Sequence, residues 1–252
     1  MSPPQVLRRT TEFDSSSLAV AAHPQLRVLE HGSPALYARP LPVWRGAGHP
    51  RHRPFKHLFD ALGAVLLGLV FLPIILGVVV ALRLQGGPVF FRHRRIGRDG
   101  AIFECLKFRT MVPDADRVLR EMLDRDPALK AEWLRNHKLQ VDPRITAVGR
   151  FLRKTSLDEL PQLWNILRGD MSLVGPRPVV LDELTRYGRC ASRYLSVRPG
   201  LTGLWQVSGR NHTSYRRRVA LDVYYVRHQS VWLDLNIVAR TVKVVFGDRT
   251  AY

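Results

Sequence analysis

Cysteine is scarce in this chain of 252 residues, which contains Cys105 and Cys190 and no others. Two thiols form neither a disulfide framework nor a zinc motif, so we interpret both as reduced residues of a fold that faces the cytosol. The nine histidines stand in no HExxH pattern, which argues against a histidine-ligated metal. The sequence also lacks a GxxxxGKS/T loop and a GxGxxG fingerprint, which excludes two common nucleotide-binding loops.

Acidic residues are few as well. The chain carries 21 Asp and Glu against 39 Lys and Arg, a formal net charge of +18. Such an excess favours polyanionic partners: nucleic acid, anionic lipid or a phosphorylated substrate. The basic run RHRRIGR, residues 92–98, lies close to a long apolar segment, and this position favours anionic lipid headgroups over nucleic acid.

Three regions differ in composition. Residues 1–50 carry several prolines and small residues with little apolar periodicity, which predicts a disordered tail. We predict a membrane-embedded segment over residues 51–84 and one cytosolic catalytic domain over residues 85–252. The predicted fold is α+β and mainly helical, with a short β-hairpin and amphipathic helices at the membrane surface.

The apolar segment contains 22 consecutive uncharged residues, from the position after Asp60 to the one before Arg83. At about 1.5 Å per helical residue, this length matches a hydrocarbon core of about 30 Å. Basic residues flank both ends of the segment, whereas a single span would have its Lys and Arg mainly on the cytoplasmic side. Pro73 lies near the middle, where a proline removes a backbone hydrogen-bond donor and kinks the helix. We therefore predict a bent, re-entrant helix with both ends at the cytoplasmic face. A single full span and a buried core helix are the alternatives.

Turn signals and periodicity predict the other elements. Two β-rich runs flank Asp99-Gly100, a strong turn signal, and predict a β-hairpin. Apolar periodicity predicts four helices, over residues 114–138, 158–168, 214–228 and 230–246. The pattern of the last helix is compatible with a position on the membrane surface and equally with packing on the domain core.

Asp158 and Glu159 stand side by side in a strongly basic chain. Acids suit a helix N-terminus, where unpaired amides and the dipole favour negative charge, so capping explains the pair without any chemistry. The basic neighbours offer an alternative, because a helix N-terminus surrounded by arginines is also a phosphate site. In such a site an ionised Asp can attack phosphorus while its neighbour holds a divalent cation. From the residues alone, both interpretations stay open. The basic neighbours are Arg144, Arg150, Arg153, Lys154, Arg168 and Arg177.

Longer motifs connect the acid pair with a known family. The stretch DPRITAVGRFLRKTSLDELPQLWNILRGDMSLVGPRP, residues 142–178, closely resembles the bacterial sugar transferases, as do KFRTM before it and RPGLTGLWQVSGR after it. These enzymes are monotopic polyprenyl-phosphate glycosyl-1-phosphate transferases, and the likeness runs from about Lys56 to the C-terminus. The resemblance implies a re-entrant membrane helix that carries a proline, an aspartyl nucleophile and bound Mg²⁺.

The same resemblance assigns roles to individual residues. It makes Asp158 the nucleophile and Glu159 its partner, with both at the metal. Asp222 and Asp234 match acids of the family and are expected to support the site. Six basic residues are expected to bind the phosphates and the nucleotide: Lys107, Arg109, Arg153, Arg177, Arg198 and Arg210.

The implied reaction transfers a sugar-1-phosphate from a UDP-sugar to undecaprenyl phosphate through a covalent aspartyl-phosphosugar intermediate, with release of UMP. The chain is similar to enzymes that transfer a hexose phosphate, of galactose or glucose type, in the first membrane step of exopolysaccharide synthesis. The expected location is the cytoplasmic face of the bacterial inner membrane, with anionic lipid and a second copy of the chain as further partners. Two rival functions remain: a conventional glycosyltransferase, which releases UDP, and a non-catalytic membrane scaffold of a polysaccharide assembly complex.

Overall fold

The computed structural model describes residues 54–136, 139, 141–209 and 213–247, so the tail predicted over residues 1–50 and Arg210 lie outside the described residues. Helices dominate, as predicted, and a β-hairpin follows the first helix. The elements in chain order are α1 (Pro54–Leu84), β1 (Phe90–Ile96), β2 (Ile102–Phe108), α2 (Ala115–Arg125), α3 (Pro127–Asn136), α4 (Ala147–Thr155), α5 (Gln162–Arg168), β3 (Ser172–Val174), α6 (Leu181–Thr185), α7 (Ala191–Leu195), β4 (Gly200–Thr202), α8 (Tyr215–Arg227) and α9 (Val231–Gly247).

Helix α1 is long and apolar enough to cross a membrane. It continues through Pro73 without a break in the helix. Apolar side chains in its middle are open to the surroundings, since Leu66, Leu69 and Val70 are each more than 60% exposed. A soluble core helix would bury these groups, so the exposed middle of α1 argues against the core alternative.

The same helix contacts the rest of the protein near both of its ends. Near the start, the Asp60 carboxylate accepts hydrogen bonds from the Ser172 hydroxyl at 2.7 Å and from the Leu173 amide at 3.1 Å. Near the end, the Leu82 carbonyl accepts a hydrogen bond from the Arg109 guanidinium at 3.3 Å. One folded domain therefore binds both ends of α1 and leaves its middle uncovered.

The predicted hairpin is present as the antiparallel pair β1 and β2. Its connection closes with a hydrogen bond from the Gly97 amide to the Ala101 carbonyl at 2.7 Å. Asp99 and Gly100 both have positive φ, 56° and 80°. Because Asp tolerates and glycine readily adopts this left-handed region, the turn signal in the sequence and the observed backbone agree.

The helix predicted over residues 114–138 is instead two helices, α2 and α3. The break falls at Asp126, which is extended with φ −125° and ψ 103° and directly precedes Pro127. A proline ring disfavours the helical conformation in the residue before it. The Asp126 carboxylate then accepts hydrogen bonds from the amides of Ala128 and Leu129, at 2.8 and 3.2 Å, and starts the second helix. The continuous helix was wrong because the apolar period extends across this proline.

A second, parallel strand pair supports the domain core. Ser172 of β3 lies opposite Gly200 of β4, two residues before the pair Val174 and Thr202. Glycine is required at position 200, since a Cβ there would collide with the Gly175 backbone. Tyr225 of α8 and Ile237 of α9 are fully buried in the same core cluster as Val174. The cluster holds β3 in place, and the segment that follows β3 carries Arg177.

The last helix has two different faces, and the structure confirms its packing on the domain core. Ile237 is fully buried in the core, with Leu233 and Val238 packed beside it. On the other side Val231 and Trp232 are 58% and 81% exposed. Helix α9 therefore packs on the domain and also presents an apolar surface. Helices α8 and α9 match the two helices predicted over this part of the chain.

Candidate active site

The acid pair lies in a single turn of 3₁₀ helix between α4 and α5. Ser156 ends α4 in the left-handed region, φ 57°, and its side chain caps nothing. Pro161 is the N-cap of α5, so that helix begins at Gln162 and not at Asp158 as predicted. The acids therefore form a short turn that directly precedes α5, and α5 ends at Gly169, which has a positive φ of 83°.

Asn165 attaches this turn to the hairpin. Its side chain is fully buried, and its Nδ2 donates a hydrogen bond to the Glu104 carbonyl at 2.7 Å. Its Oδ1 accepts a hydrogen bond from the Leu106 amide at 3.0 Å. One side chain thus satisfies two backbone groups of β2 and holds α5 against the strand that carries Lys107.

Lys107 bridges the two acids. Its Nζ lies 2.7 Å from Glu159 Oε1 and 3.4 Å from Asp158 Oδ2. Burial lowers the pKa of Lys107, but Glu159 and then Asp158 raise it, and the sum places the pKa above its ordinary value. Lys107 is therefore a fixed ammonium between two carboxylates, as expected for a positively charged group of an anion site.

The two acids differ in their protonation chemistry. Burial raises the pKa of Asp158, Lys107 opposes the rise, Glu159 adds to it and Arg153 opposes it, and the net direction is upward. Burial also acts to raise the pKa of Glu159, but Lys107 and then Arg177 act in the other direction, and the net direction is downward. Glu159 is thus the more firmly ionised acid, and Asp158 offers the more basic carboxylate. A more basic oxygen is the better nucleophile once deprotonated.

A pocket opens beside the acid pair. Strand alternation directs Arg95, Cys105 and Lys107 to one face of the hairpin, since Arg95 pairs with Phe103 in the register. Two cationic side chains of the hairpin, Arg95 and Lys107, line the pocket together with Arg177, and three cations suit a phosphate group. The residues that line it are Arg95, Cys105, Lys107, Glu159, Gln162, Arg177, Pro178, Leu201 and Gln206.

Lys107, Asp158, Glu159 and Arg177 are brought together by the structure, in agreement with their predicted proximity. Arg153 lies next to them. Its Nε donates a hydrogen bond to the Thr110 hydroxyl at 2.9 Å, and its charge counteracts the raised pKa of Asp158.

Arg109 and Arg198 lie elsewhere, at the two ends of α1. Arg109 is buried, and its Nη2 donates a hydrogen bond to the Leu82 carbonyl near the end of α1. Arg198 Nη1 lies 3.0 Å from His57 Nδ1 at the start of α1. Neither side chain lines the pocket. The resemblance implies a phosphate role for both; in the structure their side chains contact the two ends of α1.

Sequence reasoning missed Arg95, Gln162 and Gln206 as residues of the pocket. The run containing Arg95 was interpreted as a lipid-facing cluster, yet the Arg95 guanidinium lies 3.3 Å from the Pro178 carbonyl and contacts Glu183 at 3.6 Å. The available signal was the alternation of the hairpin, which sets Arg95 on the Lys107 face once the Asp99-Gly100 turn fixes the register.

Asp222 and Asp234, the predicted supporting acids, are buried outside the pocket. Asp234 Oδ2 pairs with Lys56 Nζ at 2.8 Å. Asp222 Oδ2 accepts a hydrogen bond from the Tyr187 hydroxyl at 2.7 Å, and its Oδ1 has no partner among the described residues. Burial raises the pKa of Asp222 to about 7, although the Tyr187 hydrogen bond and the charge of Arg177 lower it.

The raised pKa of Asp222 predicts a stability that depends on pH. The protonated acid is favoured in the folded state, so the contribution is present below pH 3.8 and is lost as the pH rises through about 7. A rise from 3.8 to about 7 corresponds to roughly 4 kcal/mol. We expect Asp222→Asn to raise the thermal unfolding midpoint at pH 8 and to change it little at pH 4. Exposed Asp182→Asn is the control, and equal shifts for both variants at all pH values would contradict the assignment.

The structure thus combines a long, exposed apolar helix with a pocket in which cationic side chains surround a pair of carboxylates. The family model described as bacterial sugar transferase matches residues 51–248. The chain therefore belongs to the bacterial sugar transferase family.

Curated relatives extend this comparison. The exopolysaccharide production protein ExoY of Sinorhizobium fredii is 51% identical over 213 residues, 84% of this chain and 94% of that protein. The undecaprenyl-phosphate galactose phosphotransferase of Salmonella typhimurium is 50% identical over 200 residues, 79% of this chain. The UDP-glucose:undecaprenyl-phosphate glucose-1-phosphate transferase of Caulobacter vibrioides is 43% identical over 207 residues. The matched region spans 42% of the Salmonella protein, which is considerably longer.

Proposed function

We propose that this protein transfers a sugar-1-phosphate, of galactose or glucose type, from a UDP-sugar to undecaprenyl phosphate. The observation that carries the proposal is the Asp158–Glu159 pair bridged by Lys107 in a pocket that also contains Arg95 and Arg177. The names of the Salmonella and Caulobacter relatives support both the acceptor and the class of sugar. The name of the Sinorhizobium relative supports a role in exopolysaccharide production.

The proposed chemistry has two displacements at one phosphorus. A carboxylate oxygen of Asp158 attacks the sugar-bearing phosphorus, the bond from that phosphorus to the bridging oxygen breaks, and UMP leaves with the electron pair. The sugar phosphate is then held on Asp158 as an acyl-phosphate. A phosphate oxygen of undecaprenyl phosphate attacks the same phosphorus, the bond between that phosphorus and the Asp158 oxygen breaks, and the Asp158 carboxylate leaves with the electron pair and is regenerated. A soluble donor and a lipid acceptor thus use one site in turn.

The charged residues supply the electrostatic part of this mechanism. Arg177 and Arg95 line the pocket, and we assign them to the pyrophosphate of the donor, because positive charge stabilises the transferring phosphoryl group. Lys107 holds Glu159 and contacts Asp158 weakly, at 3.4 Å. Donor phosphates can therefore compete with Asp158 for Lys107 and leave the more basic carboxylate available for attack.

We propose Mg²⁺ as the cofactor. The described residues contain no group of three His, Cys, Asp or Glu side chains that could hold a metal. Two adjacent carboxylates nevertheless fit this ion, since Mg²⁺ is usually held by one or two carboxylates together with substrate phosphates and water. Asp158 and Glu159 would supply the protein ligands, and the ion would neutralise charge on the donor phosphates when bound.

We also propose that α1 is re-entrant, with both ends on the cytoplasmic face of the bacterial inner membrane. The support is that one domain contacts the start of α1 through Asp60 and its end through Leu82. In a helix that spans the bilayer, these two contacts would lie on opposite faces of the membrane, where one cytosolic domain could not make both. The exposed apolar side chains of α9 and the basic surface would then contact anionic lipid, and a second copy of the chain remains a candidate partner.

Cysteine labelling tests the position of the two helix ends. After replacement of Cys105 and Cys190, single cysteines would be placed at Phe55, which is 79% exposed, and at Arg92, whose side chain is 67% exposed. We expect both to react with a membrane-impermeant reagent only after the cytoplasmic face is opened. Reaction of the two sites from opposite faces would contradict the re-entrant helix. Because an interior proline favours a kink, Pro73→Leu should favour a full span and shift labelling at position 55 toward the outer face.

The leaving nucleotide tests the proposed function itself. Purified protein, undecaprenyl phosphate and a panel of UDP-sugars should release UMP with one or two of the sugars. Release of UDP would indicate a conventional glycosyltransferase. Absence of any nucleotide release, together with intact membrane binding, would indicate a scaffold. The panel also identifies the sugar, because recognition of a hydroxyl's configuration depends on hydrogen bonds placed by the fold.

A further inference from the structure

The start of α1 carries charged side chains that contact the domain. Lys56 Nζ lies 2.8 Å from Asp234 Oδ2 and 3.7 Å from Asp60 Oδ1. Asp60 is the one acid in the sequence of α1 and is 1% exposed. Its two oxygens accept hydrogen bonds from the Ser172 hydroxyl at 2.7 Å and the Leu173 amide at 3.1 Å. Both contacts lie on β3, so the membrane helix and this strand are directly linked.

A second branch reaches the same strand from the other side. The Tyr225 hydroxyl lies 2.8 Å from Asp234 Oδ1 and 2.8 Å from the Val174 carbonyl, so its one proton can serve either acceptor. The Ser172 hydroxyl lies 2.9 Å from the same carbonyl. We call Lys56, Asp60, Ser172, Tyr225 and Asp234 the β3 anchor.

Strand β3 leads directly into the pocket. Arg177 follows Val174 by three residues and lines the pocket beside Glu159. Two backbone hydrogen bonds tie the intervening segment to β4: the Gly175 amide donates to the Thr202 carbonyl at 2.9 Å, and the Gly200 amide donates to the Pro176 carbonyl at 2.8 Å. The segment has little freedom of its own, so the position of β3 determines where the Arg177 side chain begins.

The anchor requires α1 to be in place. A carboxylate taken out of water is costly unless it is paired and hydrogen-bonded. If α1 moved away from the domain, Asp60 would lose its two hydrogen bonds to β3, Ser172 would lose its carboxylate acceptor, and Asp234 would lose its pair with Lys56. The helix therefore stabilises β3 as much as β3 stabilises the helix, since coupling between two sites is reciprocal.

We infer that the β3 anchor is a positioning device that sets Arg177 for donor binding, so that a UDP-sugar binds well only when the membrane helix is seated on the domain. The inference rests on the proposed function, because it assigns Arg177 to the donor phosphates. A purely structural anchor would also lower stability when broken. A positioning anchor differs from a structural one in that breaking it weakens donor binding only while Arg177 is present.

A double-mutant cycle measures this property as donor affinity. Every protein carries Asp158→Asn, so that no turnover occurs, and the Kd of the UDP-sugar is measured by calorimetry in nanodiscs. We expect Tyr225→Phe to weaken binding about 3- to 10-fold, the size expected for one net hydrogen bond. In the presence of Arg177→Ala the same change should have no further effect, because the residue it positions is absent.

Matched variants complete the test. Tyr224→Phe makes the same change on the neighbouring, exposed tyrosine and should leave the Kd unchanged. Lys56→Met perturbs the anchor from the helix side and should behave like Tyr225→Phe, whereas Lys56→Arg should retain binding by keeping the pair with Asp234. Equal factors with and without Arg177, or unchanged binding in Tyr225→Phe, would overturn the inference. Failure of the Asp158→Asn parent to bind any UDP-sugar would contradict the proposed function instead.

Discussion

Asp158→Asn is expected to abolish the burst of UMP that we predict for the wild-type protein with donor alone. If Asp158 is the nucleophile, one UMP per site should appear before any acceptor is added, and turnover with both substrates should follow ping-pong kinetics. The amide is a far poorer nucleophile than a carboxylate, so we expect turnover to fall by roughly three orders of magnitude or more. The variant keeps the shape of the side chain beside Lys107, which limits structural damage.

Glu159→Gln provides the matched control, because it makes the same chemical change one residue away. The structure gives the two acids different environments, with a raised pKa at Asp158 and a lowered pKa at Glu159. If Glu159 mainly holds the metal, raised Mg²⁺ should partly restore the Glu159→Gln rate and should not restore Asp158→Asn. Equal rescue of both variants, intersecting kinetic lines and no burst would indicate direct attack by undecaprenyl phosphate in a ternary complex.

Intact-protein mass spectrometry gives the most direct measurement of the intermediate. Wild-type enzyme quenched with donor alone should gain the mass of one sugar phosphate, and Asp158→Asn should gain none. The quench must first be shown to preserve acyl-phosphates. A wild-type protein that gains no mass under those conditions would contradict the covalent mechanism while the family membership stands.

Local features of the fold were predictable because few residues determine them. Asp99-Gly100 set the hairpin, and Gly169 ended α5, since each of these backbones needs a positive φ. The apolar run identified α1 by length and composition alone. The break at Asp126 was also a local signal, and it was missed because apolar periodicity was given more weight than Pro127.

Features that depend on contacts between residues far apart in the chain were harder to predict from the sequence. The acid pair and Arg177 were found from motifs, but Arg95 enters the pocket through a hairpin register and the contact with Pro178, which is 83 residues away. The raised pKa of Asp158 was also not predicted from the sequence, because its neighbouring arginines favour an ionised carboxylate. Burial is the largest cause of that shift, and burial is a property of the assembled domain.

Arg177→Ala is expected to reduce kcat/KM for the UDP-sugar by about one to two orders of magnitude. Arg177 lines the pocket, and its charge lowers the pKa of Glu159, so it is close enough to stabilise phosphate oxygens. A charge-assisted contact of this kind contributes roughly 1.5–3 kcal/mol. Arg153→Ala should show a loss of similar size, because the charge of Arg153 acts on Asp158.

Two further substitutions separate charge from geometry in the Arg177 result. Arg177→Lys keeps the charge but cannot make the planar, two-pronged contact of a guanidinium, so we expect only partial recovery. Arg92→Ala removes a cation from the exposed side of the hairpin, where Arg92 pairs with Glu104 at 3.4 Å, and should leave kcat/KM within about twofold. Full recovery by lysine would mean that Arg177 acts only as a point charge. Wild-type kinetics for Arg177→Ala, or an equal loss for Arg92→Ala, would remove Arg177 from the donor site and attribute the loss to net surface charge.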